Sequence, residues 1–319
     1  MRMKITVSAL AATLAFVAAG CLASAEQPDG KSQLVKDVYP KLTTGMMMEA
    51  RLTTLPADIL LKAGNVKITI KDLDAEIKKA PEPIRPQLLK DSFFILENRA
   101  TGELLLAEAT AWAKGKNQKV PTETSNLLKP YFDSLTAKAS ASDAELKDFY
   151  EKNKEMMGGA AFDQVKDELK QYLLEQKRQD ALDAHIATIG KRTPIDINKA
   201  WVEKQYPSAM DNPVDKARLS GKPSLVDFGS DGCTPCEMMT PVLESLTKEY
   251  EGKMNVLFVH VRKEQILAAR YGVQSIPVQV FFDKDGKEVF RHVGFFPKEQ
   301  IVSKLSESET TGEAGGLKM

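Results

Sequence analysis

Cysteine is scarce in this chain of 319 residues, with three positions in all: Cys21, Cys233 and Cys236. So few thiols argue against a disulfide-stapled scaffold and against a four-cysteine zinc site. Histidine is equally rare, and His185, His260 and His292 stand in no ligand spacing near the cysteines, so imidazoles do not rescue a zinc reading. Charge of one sign is not in excess, because 44 basic side chains face 44 acidic ones. The basic footprint that nucleic-acid binding needs is therefore missing. Apart from a single N-terminal stretch, no apolar run is long enough to cross a bilayer.

That stretch reads as a targeting segment. Basic Met1-Arg2-Met3-Lys4 precedes an apolar run from Ile5 to Ala19, and Ala23-Ser24-Ala25 forms a small-x-small cleavage site before Glu26. Residues 1–25 are thus expected to be a signal peptide. A lipoprotein reading competes, with Ala18-Ala19-Gly20-Cys21 as the lipid site, although Ala18 stands where a larger aliphatic residue is usual. Both readings export the chain to an oxidising compartment, the periplasm. With cleavage after Ala25, one cysteine pair is left and no spare thiol.

The pair is Cys233-Thr234-Pro235-Cys236. It follows Ser224-Leu225-Val226-Asp227-Phe228, which reads as a buried strand, and opens a helical stretch from Glu237 to Tyr250. A thiol at a helix start meets unpaired N–H groups and the positive end of the helix dipole, both of which favour thiolate. Cys233 is therefore the expected nucleophile. Cys236, one turn further in and less exposed, is the expected resolving thiol. A purely structural bridge is the weaker reading, since a loop with two intervening residues stabilises little when closed. Asp227 is the third candidate catalytic residue: burying an unpaired carboxylate is costly, and desolvation raises its pKa towards that of a proton acceptor for Cys236. The alternative places Asp227 on the solvent face of an edge strand.

Downstream, Met254 to Val261 and Val278 to Phe282 read as strands, with Lys263 to Tyr271 as a short helix between them. Asp283-Lys284-Asp285-Gly286 is a hairpin turn leading into Glu288 to Val293, and a last helix spans Pro297 to Leu305. Leu225-Val226-Asp227-Phe228, the Cys-Thr-Pro-Cys motif, Pro241, Tyr271-Gly272-Val273, Ser275-Ile276-Pro277 and Val293-Gly294 follow in the order seen in the thioredoxin superfamily, which residues 213–305 resemble. The resemblance implies a thiol-disulfide oxidoreductase with no cofactor beyond a redox-active Cys233–Cys236 disulfide. It also implies a cis peptide before Pro277 and a substrate groove shaped by Ile276 and Pro277 with Thr234 and Pro235. The family's buried acid maps onto Asp227. Two departures stand out: Gly232 replaces the tryptophan usual before the first cysteine, and Phe258 stands where a lysine often partners the acid. Loss of that charge predicts a more strongly raised Asp227 pKa.

The preceding region is helical in pattern. Ile84 to Lys114, Ser142 to Asn153 and Phe162 to Ile189 carry apolar residues at helical spacing, and Ser142-Asp143-Ala144-Glu145 forms a capping box. Pro81, Pro83 and Pro86 punctuate the entry to the first, while Pro121 and Pro130 break the pattern later. Leu104, Leu105, Leu106 and Trp112 read as helix core; Met46-Met47-Met48 reads either as an adaptable binding surface or as a packing contact. Lys62 to Thr69 leading into Asp72 to Ile77, with the three helices, resembles the helical chaperone portion of SurA-like peptidyl-prolyl isomerases. The isomerase domain would follow Asn153, but only Glu155 to Ala161 separates that point from the next helix. The resemblance implies a cradle for unfolded polypeptide or a partner subunit.

The expected fold class is α+β multidomain: an all-α domain over 26–197, a linker over 198–212, an α/β thioredoxin fold over 213–305 and a disordered tail over 306–319. The expected function is an exported thiol-disulfide oxidoreductase, a reductase or isomerase, since no basic residue adjoins the cysteines to force a strong oxidant. Expected partners are exported clients with cysteines or disulfides, a membrane electron donor or acceptor, and a second copy as homodimer. The alternative is a periplasmic holdase whose redox domain is secondary. Cys233→Ser separates the two: thiol exchange with glutathione is expected to vanish, while suppression of client aggregation, followed by light scattering, persists only if the holdase reading holds.

Overall fold

Short strands, as well as helices, build the N-terminal region. The computed structural model describes residues 33–313 other than 118, 122 and 158; the signal-peptide reading and Cys21 lie outside the described residues. After a single helical turn, α1 (Val35–Val38), come β1 (Arg51–Thr53), β2 (Ile59–Ala63) and β3 (Val66–Thr69). The β2–β3 hairpin turns at Gly64, whose φ of 55° needs no Cβ. Much later in the chain, β4 (Ile195–Asn198) inserts parallel to β1 and antiparallel to β2, giving the order β1-β4-β2-β3. This corrects the all-α expectation for 26–197. Three to five residues per strand carry little periodicity, and such strands become stable only through pairing that is distant in sequence.

Helices pack on this sheet. α2 (Ile70–Lys79) starts in a capping box between Thr69 and Asp72. The stretch read as one helix from Ile84 is divided at buried Asp91 into α3 (Arg85–Lys90) and α4 (Ser92–Gly115). α5 (Leu128–Leu135) tolerates Pro130 because it lies in the first turn, where no intrahelical N–H bond is lost. α6 (Asp143–Asn153) is capped by Ser142 with Glu145 as expected, and α7 (Phe162–Arg192) follows. Gly190 of α7 touches the Met46 backbone, where an added Cβ would lie 2.6 Å from the Met46 oxygen. Met46 and Met47 are buried in the main core with Leu60, Phe93, Leu96 and Ile197, which makes them packing contacts and not an adaptable surface.

The segment 198–212 is not a linker. Asn198 accepts from the Trp201 N–H and caps α8 (Lys199–Met210), whose Val202, Ala209 and Met210 complete the N-terminal core. α9 (Pro213–Arg218) follows, capped by Asn212. A second sheet then forms from β5 (Ser224–Gly229), α10 (Thr234–Glu249), β6 (Asn255–His260), α11 (Gln265–Arg270), β7 (Val278–Phe282) and β8 (Glu288–Val293). Its order is β6-β5-β7-β8, with β5 parallel to β6 and antiparallel to β7, and β7 antiparallel to β8. The last helix, α12 (Lys298–Glu313), runs past Leu305 into the expected tail. Buried Ile301 and Leu305 anchor its first turns, and extending a formed helix is cheaper than nucleating one.

Buried charge joins the two regions. Asp215 is fully buried and accepts from Arg218 Nη1 at 2.7 Å, the Tyr271 hydroxyl at 2.7 Å and Asn212 Nδ2 at 2.6 Å, with Arg270 Nη1 at 2.8 Å. Arg270 also reaches Asp91 Oδ1 at 3.2 Å and donates to the Ala209 and Leu42 carbonyls. Lys41 and Arg218 exchange bonds to each other's carbonyls. Arg270→Ala would leave buried Asp91 without its cation and Asp215 with Arg218 as its remaining one, so a loss of about 3–5 kcal/mol in urea unfolding is expected. Removing the exposed Lys129–Asp133 pair by Lys129→Ala is expected to leave the midpoint unmoved.

Candidate active site

β5 runs between β6 and β7, so its alternate residues face helices on opposite sides. Leu225, Asp227 and Gly229 share the α10 face. An edge-strand position for Asp227 is thereby overturned: the residue is fully buried. After Gly229 the chain turns through Ser230, Asp231 and Gly232, whose φ of 69° suits glycine. Cys233 then sits at the N-cap of α10, with Pro235 in the first turn and the Glu237 N–H bonded to the Cys233 oxygen at 3.0 Å.

Cys233 and Cys236 are joined as a disulfide with Cα atoms 5.2 Å apart. Cys233 is half-buried, Cys236 is buried, and Thr234 and Pro235 between them are exposed. A Cβ built on Gly229 would lie 3.4 Å from Cys236 Sγ and 2.9 Å from the Phe258 ring. Gly229 therefore lets Cys236 and Phe258 close over the end of β5, with Asp227 two residues back on the same face. The Ile276–Pro277 peptide is cis. Phe228 pairs with Val278, so Pro277 lies across from the Gly229 end of β5, the end from which the cysteine loop departs. Its oxygen accepts from the Gly294 N–H at 2.8 Å, and Ile276 beside it is half-buried. Topology thus gathers Cys233, Cys236, Asp227, Ile276 and Pro277 at one end of the sheet.

Desolvation pushes Asp227 up to about 6, and a bond from Gln279 partly offsets it. Gln279 is fully buried, opposite Asp227 in the β5–β7 register, and donates from Nε2 to Asp227 Oδ1 at 2.6 Å. Among the described residues, Asp227 Oδ2 and Gln279 Oε1 have no hydrogen-bond partner. Phe258 pairs with Asp227 in the β5–β6 register and supplies no charge, consistent with the upward shift expected from its replacement of lysine. Gln279 was not singled out in the sequence, though an amide inside Val278 to Phe282 was its signal. A groove of about 430 Å³ opens beside the pair, lined by Asp231, Cys236, Thr240, Leu243 and half-exposed Phe258.

Each histidine has partners of its own. His260 Nε2 is 3.1 Å from Asp231 Oδ2, and that contact lowers the Asp231 pKa. His292 stacks on Phe296 with centroids 4.1 Å apart, and burial lowers its pKa. His185 contacts Glu108 and Tyr131 in the N-terminal region and is also lowered by burial.

The Asp227 shift has a sign for stability. Its proton is held more tightly in the folded chain, near 6, than at the ordinary 3.8. Stability attached to this group is thus present below about pH 4 and lost as pH rises through about 6, amounting to about 3 kcal/mol. Asp227→Asn is expected to be close to wild type at pH 4 and more stable by up to that amount at pH 7.5, measured by urea unfolding at both pH values.

A family model described as Thioredoxin matches residues 203–307, beginning within α8 and not at residue 213. Thioredoxins of Staphylococcus aureus strains Mu50 and MW2 are each 46% identical over 83 residues, which is 26% of this chain and 79% of theirs. Among solved structures, thioredoxin NaTrxh from Nicotiana alata is 29% identical with a TM-score of 0.27, covering 30% of this chain and 79% of that one. Chloroplastic thioredoxin z is 26% identical with a TM-score of 0.28, covering 30% of this chain and 84% of its own. Through this C-terminal portion the chain belongs to the thioredoxin family, whose members are redox enzymes.

Proposed function

We propose that the protein is an exported thiol-disulfide oxidoreductase that reduces or isomerises protein disulfides in the periplasm. The observation that carries this reading is the bonded Cys233–Cys236 pair at the start of α10, above a buried Asp227 that titrates near 6. In the reducing direction, Cys233 thiolate attacks a client disulfide sulfur, forms a mixed disulfide and expels the first client thiolate. Cys236 passes its proton to Asp227 and attacks Cys233 sulfur, which releases the second client thiolate and leaves the pair oxidised. Two electrons have then moved to the client, and a membrane dithiol donor must restore the pair. Ile276 and Pro277 with Thr234 and Pro235 are the proposed client-contacting residues.

The region before β5 is proposed, by its resemblance to the SurA-like chaperones, to hold client polypeptide or a second subunit. The Arg270 latch supports this by fixing that region against the redox domain. Cys236→Ser is expected to accumulate a mixed disulfide with a reduced, unfolded client on a non-reducing gel, and Cys233→Ser is expected to form none. Equilibration with glutathione buffers then gives the direction: a potential near about −270 mV means a reductase, and one near about −120 mV a disulfide donor. A pair that fails to exchange at all sinks the proposal.

A further inference from the structure

β6 is an edge strand of the redox-domain sheet, and it lacks the devices that keep edges unpaired. Asn255-Val256-Leu257-Phe258-Val259-His260 contains no lysine, acid or proline. The opposite edge, β8, carries a Glu288–Arg291 ion pair instead. Asn255 N–H donates to the Pro223 oxygen and Val261 N–H to the Gly229 oxygen, so the odd-numbered amides of this parallel strand face β5. The N–H and C=O groups of Val256 and Phe258 therefore face outward. Among the described residues, no backbone group pairs with them. The His260 oxygen accepts from Lys263 and Glu264 N–H, which closes the edge at that end.

The groove beside this edge has the same orientation. Leu243, Val256 and Phe258 give it apolar walls, Glu237 and Glu244 stand exposed along it, no basic side chain among the described residues lines it, and it reaches Cys236. An outward row of backbone donors and acceptors selects an extended chain. Side chains at every second position of such a chain share a face, so an apolar group against Phe258 and a cation near Glu244 would stand two residues apart. A second copy fits less well. Antiparallel pairing of β6 with itself centred on Phe258, a register that sets outward-facing residues opposite one another, brings Lys253 opposite Lys263, and like charges directly across a ladder repel.

We infer that the outer edge of β6 and its groove bind an extended peptide segment of apolar and basic composition by strand addition, leading it to the Cys233–Cys236 pair. Calling that segment a client rests on the redox reading above; the binding itself does not. The test uses the full chain and a fluorescein-labelled, cysteine-free decapeptide in which valine and lysine take turns at every second position with threonine between them, so that both face the groove. Binding is read by anisotropy, with amide hydrogen exchange at Val256 and Phe258. Saturable binding is expected, with those two amides slowed by about tenfold or more on complex formation. Glu244→Lys, an exposed change, is expected to weaken binding by about tenfold, and a valine–glutamate peptide should not bind. A peptide with its alternate amides N-methylated should lose binding, because it cannot complete the ladder.

The inference is overturned if the valine–lysine peptide does not bind, if it binds without slowing Val256 and Phe258, or if N-methylation changes nothing. It is equally overturned if both amides are already protected in the free chain and light scattering gives a dimer, which would mean that a second copy covers the edge. Exchange of the wild-type cysteines with a small aromatic disulfide is measured alongside. Failure there sinks the redox reading alone, because that reagent presents no backbone to β6.

Discussion

The carboxylate of Asp215 is the point on which the two halves of this chain turn. It is fully out of water, and it is tolerable there only because Arg218, Arg270, Tyr271 and Asn212 converge on it. Arg270 carries the network on to Asp91, at the break between α3 and α4, and to the carbonyls of Leu42 and Ala209. Such a cluster is satisfied in one arrangement only, since moving any element leaves a buried charge unpaired. It sets where α9 and α11 stand, and hence how the redox sheet is held against the N-terminal core.

On that scaffold the active end of the sheet is made by what is absent. Gly229 has no side chain, which gives Cys236 and the Phe258 ring room to close on β5. Among the described residues no cation faces Asp227, so desolvation dominates and a neutral amide, Gln279, is its hydrogen-bond partner. The result is a carboxyl group that changes charge near pH 6, where a proton acceptor for a thiol is useful. The aromatic wall missing before Cys233 has a counterpart on the other side of the pair, because half-exposed Phe258 lines the groove that reaches Cys236.

Local signals carried the redox domain well. The strands at Ser224 and Val278, the helix opened by Cys233 and the hairpin at Asp283 are each announced by alternation, a Pro at the first helical turn or a turn tetrad. The capping boxes at Thr69 and Ser142 are likewise local, since both partners lie within one turn. β4 and the role of α8 were not legible. Ile195 to Asn198 looks like a helix exit until β1 and β2 are placed on either side of it. α8 looks like spacer until the core that receives Val202 and Met210 exists.

By itself the sequence determined the chemistry on offer: one Cys-x-x-Cys at a helix start, an acid inside an apolar strand and a proline ahead of another. These are covalent and short-range facts, fixed by residue type and spacing. Only the tertiary structure decided that Gln279 partners Asp227, that Arg270 ties Asp91 to Asp215, and that the edge of β6 stays open beside Cys236. Each of these depends on residues brought together by strand register and helix packing, and no local pattern encodes which distant group will arrive.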